Sequence, residues 1–139
     1  MLLLLCTPVN ANQKTWGEHE VETDLTVGGN IDAGNRISSG TATISASADN
    51  TDVSNINTLF VTTAGGAVVL GGLTGGVDGQ VLYIVRKDTT NDLTLENAEG
   101  EGDQDFIMHQ GTDELIDTGG VVLVCDGSDW YDASHAKHV

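Results

Sequence analysis

An all-β fold is what this sequence predicts, and three observations predict it. Its apolar runs are short and each is bounded by Gly, Asp or Asn, the punctuation of strands joined by tight turns. There is a single Pro, Thr and Ser are frequent, and Gly is 18 of 139 residues, a composition suited to strands and turns. Residues 41–48 alternate strictly between Ala or Ile and Thr or Ser, and a period of two turns one strand face inward. In detail the expectation is an antiparallel jelly-roll-like sandwich with an extended N-terminal arm and short leading strands. Three segments compose it: an extended docking arm over 1–24, a strand leader and oligomerisation segment over 25–58, and the sandwich over 59–139.

The arm has no helical or strand period beyond its leucine run, and Thr7-Pro8 stops any helix there. Leu2, Leu3, Leu4, Leu5, Val9 and Trp16 are its large apolar residues, and they lie outside any foldable core. Met-Leu-Leu-Leu-Leu-Cys over 1–6 lacks the positive flank and longer apolar stretch of a signal peptide. Leu5 is too bulky for the position before a lipid-modified cysteine. Four exposed leucines invite aggregation, so the economical expectation is burial against a partner.

The leader places Leu25-Thr-Val27, Ile31 and Ile37 between Gly-Gly-Asn and Ala-Gly-Asn turns, which allows strands of only a few residues. In the alternating stretch, Ala42, Ile44, Ala46 and Ala48 form the inward face. Alanine removes little area from water, so at ~25 cal/mol per Å² this strand stabilises weakly on its own. Such thin segments gain stability when identical chains pack together. Those four residues are therefore the candidate contacts of an intertwined or symmetric oligomer, foremost a homotrimer.

The main core begins at Leu59-Phe-Val61 and continues at Ala67-Val-Val-Leu70, across a hairpin-like turn at Ala64-Gly-Gly66. Residues 71–79 hold five glycines but lack the helix and Lys-Ser/Thr of a phosphate loop, which excludes that mode of nucleotide binding. In residues 80–87, Val81, Tyr83 and Val85 share one face and Leu82 and Ile84 the other, a strand expected to be buried on both sides. Residues 96–105 read as a polar acidic loop. Residues 121–125 form the next strand, Asp-Gly-Ser-Asp over 126–129 the last turn, and Trp130-Tyr131 a strand-end core pair.

Chemistry is harder to find. Net charge is −16 with five Lys and Arg in total, which argues against nucleic acid and against an anionic membrane surface as partners. No run approaches the ~20 apolar residues of a membrane-spanning helix. Glu99, Glu101, Asp103 and Asp105 alternate along one loop, yet the glycine and glutamate positions of an EF-hand are missing. His109 beside Asp113 and Glu114, and His135 with His138, do not complete a ligand set. Cys6 and Cys125 read as free thiols rather than a disulfide framework. No nucleophile has an elbow context, and nothing selects two of the many acids as a catalytic pair. The expectation is a chain that is not an enzyme, with no catalytic residue, cofactor or metal.

One resemblance adds to this reading. Leu-Gly-Gly-Leu-Thr-Gly-Gly-Val-Asp-Gly-Gln over 70–80, the strand at 81–85, Asn-Asp-Leu-Thr-Leu-Glu-Asn over 91–97 and Val-Val-Leu-Val-Cys-Asp-Gly-Ser-Asp-Trp-Tyr over 121–131 are similar to a module of tailed-bacteriophage virion proteins, found in fibres, spikes and small head-attached proteins. Gly-Asn-Ile-Asp-Ala-Gly-Asn over 29–35 resembles the strand leaders that precede such modules. The resemblance covers residues 55–131, a little over half of the chain. It implies trimers and a role in attachment or capsid reinforcement rather than catalysis. The chain lacks a long shaft, so the resemblance favours a capsid decoration (cement) protein on the virion surface. Its partners would be further copies of itself and the major capsid protein, with residues 1–24 docking. The alternative is a tail or head fibre adhesin binding host-surface carbohydrate through Trp130, Tyr131 and the acidic loop. A secreted bacterial surface protein is the third class, and it would need an export signal that the sequence does not show.

Overall fold

The computed structural model describes residues 40–100 and 102–134. The expectations placed on the arm, on residues 25–39 of the leader, and on Cys6, Glu101, His135 and His138 lie outside the described residues.

Among the described residues the protein is all-β, with strands and no helix. In chain order these are β1 (Thr41–Ile44), β2 (Thr51–Asp52), β3 (Thr58–Val61), β4 (Val68–Leu70), β5 (Gly72–Thr74), β6 (Val81–Arg86), β7 (Leu93–Leu95), β8 (Gln104–Ile107), β9 (Glu114–Ile116), β10 (Gly120–Cys125) and β11 (Trp130–Asp132). They form an eight-stranded sheet, β1-β3-β6-β10-β11-β8-β5-β2, and a three-stranded sheet, β4-β7-β9.

The pairing is not that of the expected antiparallel sandwich. β1, β3 and β6 stack in parallel, as do β2 with β5 and β4 with β7. Parallel neighbours need a long crossover between them, and the chain supplies one by circling: Thr41 meets Thr58, and Thr58 meets Tyr83. The arrangement is therefore solenoid-like. After β7 the direction reverses, and β8, β9 and β10 lie antiparallel on β5, β7 and β6. β11 then pairs antiparallel with β10 and parallel with β8, joining the two wings of the large sheet.

The physical reason lies in the turns. Only Gly71 separates β4 from β5, which belong to different sheets; one residue makes a corner and cannot make a two-residue hairpin. The turn at 64–66 also joins strands of different sheets, β3 and β4, so it is a corner and not the expected hairpin. Asp126–Asp129 is the true hairpin, with Asp126 N donating to Asp129 O at 3.1 Å between β10 and β11.

The core fills the coil. Leu59, Leu70, Leu82, Phe106, Leu123 and Trp130 are fully buried, and ladder partners such as Leu59, Ile84 and Val121, or Val68, Leu93 and Ile116, sit above one another. Each fully buried large side chain contributes roughly 1.5–3 kcal/mol. The described part of the leader joins this same core, since Val53 is fully buried and Ala42, Ile44 and Ile56 pack against it. The strand expected over 41–48 ends at Ile44, after which the chain turns the corner to a single bridge between Ala48 and Leu70.

Candidate functional site

Three places on the described surface carry enough structure to be weighed as sites. The first is a cleft of ≈ 710 Å³ between residues 54–57 and residues 75–80. Gln80 braces it: its Nε2 donates to Val53 O at 3.0 Å and Ile56 O at 2.8 Å, while its Oε1 accepts from Val77 N at 3.1 Å. Asn57 Nδ2 donates to Val81 O at 2.7 Å. These amides are consumed in holding the walls together. Asp78 is the one carboxylate in the lining, so the cleft has no acid–base pair with which to move a proton.

The second place is the β10–β11 end. Trp130 is fully buried and Tyr131 is 42% exposed, so the two aromatics split: the indole belongs to the core and only the phenol faces outward. Tyr131 hydrogen-bonds Asp126, which raises the phenol pKa, helped by the Asp126 charge beside it. Asp126 is held below the usual carboxylate range by the N–H groups of Asp129 and Ser128. Behind them Gln104 anchors a buried polar network, accepting at Oε1 from Gly76 N and from Trp130 Nε1. Sequence reading placed Gln104 in the acidic loop. The alternation of buried Gln104, Phe106 and Met108 with partly exposed Asp105 and Ile107 is the signal that assigns it to a strand.

Elsewhere the acids serve local structure. Asp103 Oδ2 accepts from Thr74 Oγ1 at 2.9 Å, and Asp103 N donates to Asn50 Oδ1. Asp52 accepts from the hydroxyl and N–H of Ser54, which lowers its pKa. Among the described residues no group of three or more His, Cys, Asp or Glu is gathered as metal ligands would be. Cys125 is a free, buried thiol.

The third place is the outer face of the large sheet, which sequence reading took to be covered. Leu82 and Ile84 of β6 are buried, but Tyr83 is 48% exposed and Val81 and Val85 are half-buried. Tyr83 registers with Thr58 and Val122, Val81 with Val124, and Val85 with Phe60. Tyr131 extends the row from Val124.

Of the candidate oligomer contacts, Ala42 and Ile44 are partly buried against the protein's own core. Ala46 is exposed, and Ala48 is partly buried at its bridge to Leu70. They do not share one outward face. The docking candidates Leu2, Leu3, Leu4, Leu5, Val9 and Trp16 lie outside the described residues.

No family model matches the chain, and neither characterised proteins nor solved structures are detectably similar to it.

Proposed function

We propose that this chain is a structural protein of a tailed-bacteriophage virion, a decoration protein that binds the major capsid protein on the head surface as a homotrimer. The sequence motifs over residues 70–80, 91–97 and 121–131 carry the virion assignment. The observation that supports a structural role is how the described polar side chains are spent: Gln80, Gln104, Arg86 and Asp88 all close turns or tie strands. Enzymes instead hold titratable groups in a cleft with shifted pKa values. A surface that is strongly anionic overall also suits a particle that must stay dispersed. The jelly-roll-like sandwich is not kept in this reading, because that architecture needs antiparallel Greek-key neighbours and β1, β3 and β6 form a parallel ladder.

Co-sedimentation of the purified chain with capsids stripped of accessory proteins tests this reading. Saturable binding at one trimer per capsid site is expected, and no binding at micromolar concentration would overturn it. A chain lacking residues 1–16 is expected to stay folded and lose capsid affinity. Full occupancy by that truncation would move the docking surface away from Leu2–Leu5, Val9 and Trp16.

A fibre adhesin that binds host-surface carbohydrate is the second reading. Tyr131 favours it, because a half-exposed ring with its hydroxyl fixed by Asp126 is a suitable stacking surface for a sugar. Specific binding on a glycan array, lost in Tyr131→Ala, would promote this reading over the first.

A further inference from the structure

We infer that the free edge of β1 takes residues 24–27 of the same chain as one more parallel strand, so that the coil begins one turn earlier. The inference does not depend on the virion reading. Residues 24–27 lie outside the described residues: β1 supplies the site, and the sequence supplies the occupant.

Register comes first. Thr41 pairs with Thr58, and each partner across β1 and β3 is offset by 17 residues, Ala42 with Leu59 and Ile44 with Val61 among them. The same step taken upstream from Thr41-Ala-Thr-Ile44 reaches Asp24-Leu-Thr-Val27. All three segments carry apolar residues at their second and fourth positions: Leu25 and Val27, Ala42 and Ile44, Leu59 and Val61. The offset also sets Ile31 against Ala48 and Asp32 against Asp49, and Ala48 is the residue that bridges in parallel to Leu70 of β4. A fixed period of this kind is the signature of stacked repeats, each covering the apolar positions of the next.

Burial and hydrogen bonding point to the same edge. Leu59 and Val61 are fully buried, whereas Ala42 and Ile44, at the same two positions one strand earlier, are only half-buried. Leu25 and Val27 would stand to them as they stand to Leu59 and Val61. β1 ends the order of the large sheet. The carbonyls of Gly40 and Ile44 accept from Thr58 N and Thr62 N on the β3 side. Successive residues of a parallel strand turn their N–H and C=O groups to opposite sides, so Thr41 and Thr43 aim theirs at the other edge.

The connection argues for a strand of the same chain over one from a second copy. Residues 45–57 lead from β1 to β3, and residues 28–40, an equal number, would lead from the added strand to β1. A tether of that length holds the strand at roughly millimolar effective concentration, whereas a second copy offers its strand only at the concentration of free protein. The consequence is positional: the arm that carries Leu2, Leu5 and Trp16 leaves the domain from the β1 end of the large sheet.

Cysteine pairing on the full chain tests the assignment, with Cys6→Ser so that the buried Cys125 is the one native thiol. Thr43 is exposed on β1, and Thr26 is its counterpart 17 residues upstream. Adjacent strands lie ~4.8 Å apart, inside the ~4.4–6.8 Å Cα spacing of a disulfide. Thr26→Cys with Thr43→Cys is therefore expected to close an intrachain disulfide under mild oxidation. Thr26→Cys with Thr41→Cys, two residues out of register, is expected to close at least about ten-fold more slowly. No disulfide, or equal rates for the two pairs, would overturn the register. A disulfide between chains would give the edge to a second copy. Hydrogen exchange needs no variant: in the unmodified chain the N–H groups of Thr41 and Thr43 are expected to exchange about 100-fold or more slower than unprotected amides. Free exchange at both would overturn the added strand. Leu25→Asp combined with Val27→Asp is expected to abolish that protection with the β circular dichroism retained. Protection that survives this variant would show that another segment holds the edge.

Discussion

Trp130 Nε1 donates a hydrogen bond to Gln104 Oε1 at 3.3 Å, and both side chains are buried. The same Oε1 accepts from Gly76 N at 2.8 Å, and Gln104 Nε2 returns a bond to Gly76 O at 3.0 Å. One amide thus ties β8 and β11 to the glycine-rich loop, at the point where the reversed part of the chain closes onto the coil. A Cβ on Gly76 would lie 2.4 Å from Trp130 Cζ2, so the indole requires glycine there.

Replacing Gln104 by Leu keeps the volume and removes every polar partner of Gly76 and the indole N–H. Leaving buried donors and acceptors unsatisfied costs about 1–3 kcal/mol for each. Gln104→Leu is therefore expected to lower unfolding stability by about 2–4 kcal/mol, read as a lower urea midpoint with an unchanged slope. Gly76→Ala should cost about 1–3 kcal/mol through overpacking against Trp130. A neutral result for both would show that the loop moves freely away from the indole.

Arg86 is the second internal tie. It is 7% exposed, and its guanidinium donates to the carbonyls of Ile116, Asp117 and Asn91. The planar fork reaches β9 and the β6–β7 corner at once, geometry a lysine cannot reproduce. Arg86→Lys is expected to lose about 2–3 kcal/mol in chemical denaturation, because orphaned carbonyls remain in either case. Equal stability of wild type and Arg86→Lys would contradict this account.

How much of this was legible follows from where the information sits. The all-β class was written in the alternation at 41–44 and in the turn residues, both local signals. Whether Gly71 or Gly65 reverses the chain or turns it through a corner depends on which sheet awaits the next strand, and no local pattern encodes that. Trp130 reads as core and is buried, whereas Tyr131, read as its core partner, is exposed because the next residue of a strand faces the other way. Tyr83 failed for another reason. An apolar residue at a strand's second face says that something covers it, but not whether its own chain does. Arg86 carried no signal at all, since a cation at a strand end ordinarily points to solvent.

Ala98 holds a left-handed backbone, φ 52°, where the chain reverses after β7, and its N–H donates to Phe106 O at 2.9 Å. A side chain in that region costs about 1–2 kcal/mol. Glycine relieves this but adds about 0.4–1 kcal/mol of unfolded-state entropy. Ala98→Gly is accordingly expected to stabilise the fold by about 0.5–1 kcal/mol, seen as a higher melting temperature. A lower melting temperature would place the entropy cost above the strain.

Asp88 supplies the pH dependence. Its carboxylate accepts from Thr62 Oγ1 at 2.7 Å, Thr63 Oγ1 at 2.7 Å, Thr63 N at 2.9 Å and Thr90 N at 3.3 Å. The two threonine hydroxyls lead in lowering its pKa to about 2. Because the folded value lies below the unfolded one, ionised Asp88 favours the folded state above pH ~4, and the contribution disappears as pH falls from ~4 to ~2. The many other acids act differently: protonating them also relieves the repulsion of a chain at net charge −16, so a simple acid titration mixes opposite signs. Subtracting Asp88→Asn from the wild type isolates the one group. The variant is expected to be less stable at pH 7, with the gap closing between pH 4 and pH 2 in urea titrations at fixed ionic strength. A gap that stays constant down to pH 2 would mean that Asp88 holds the two threonines by shape and not by charge.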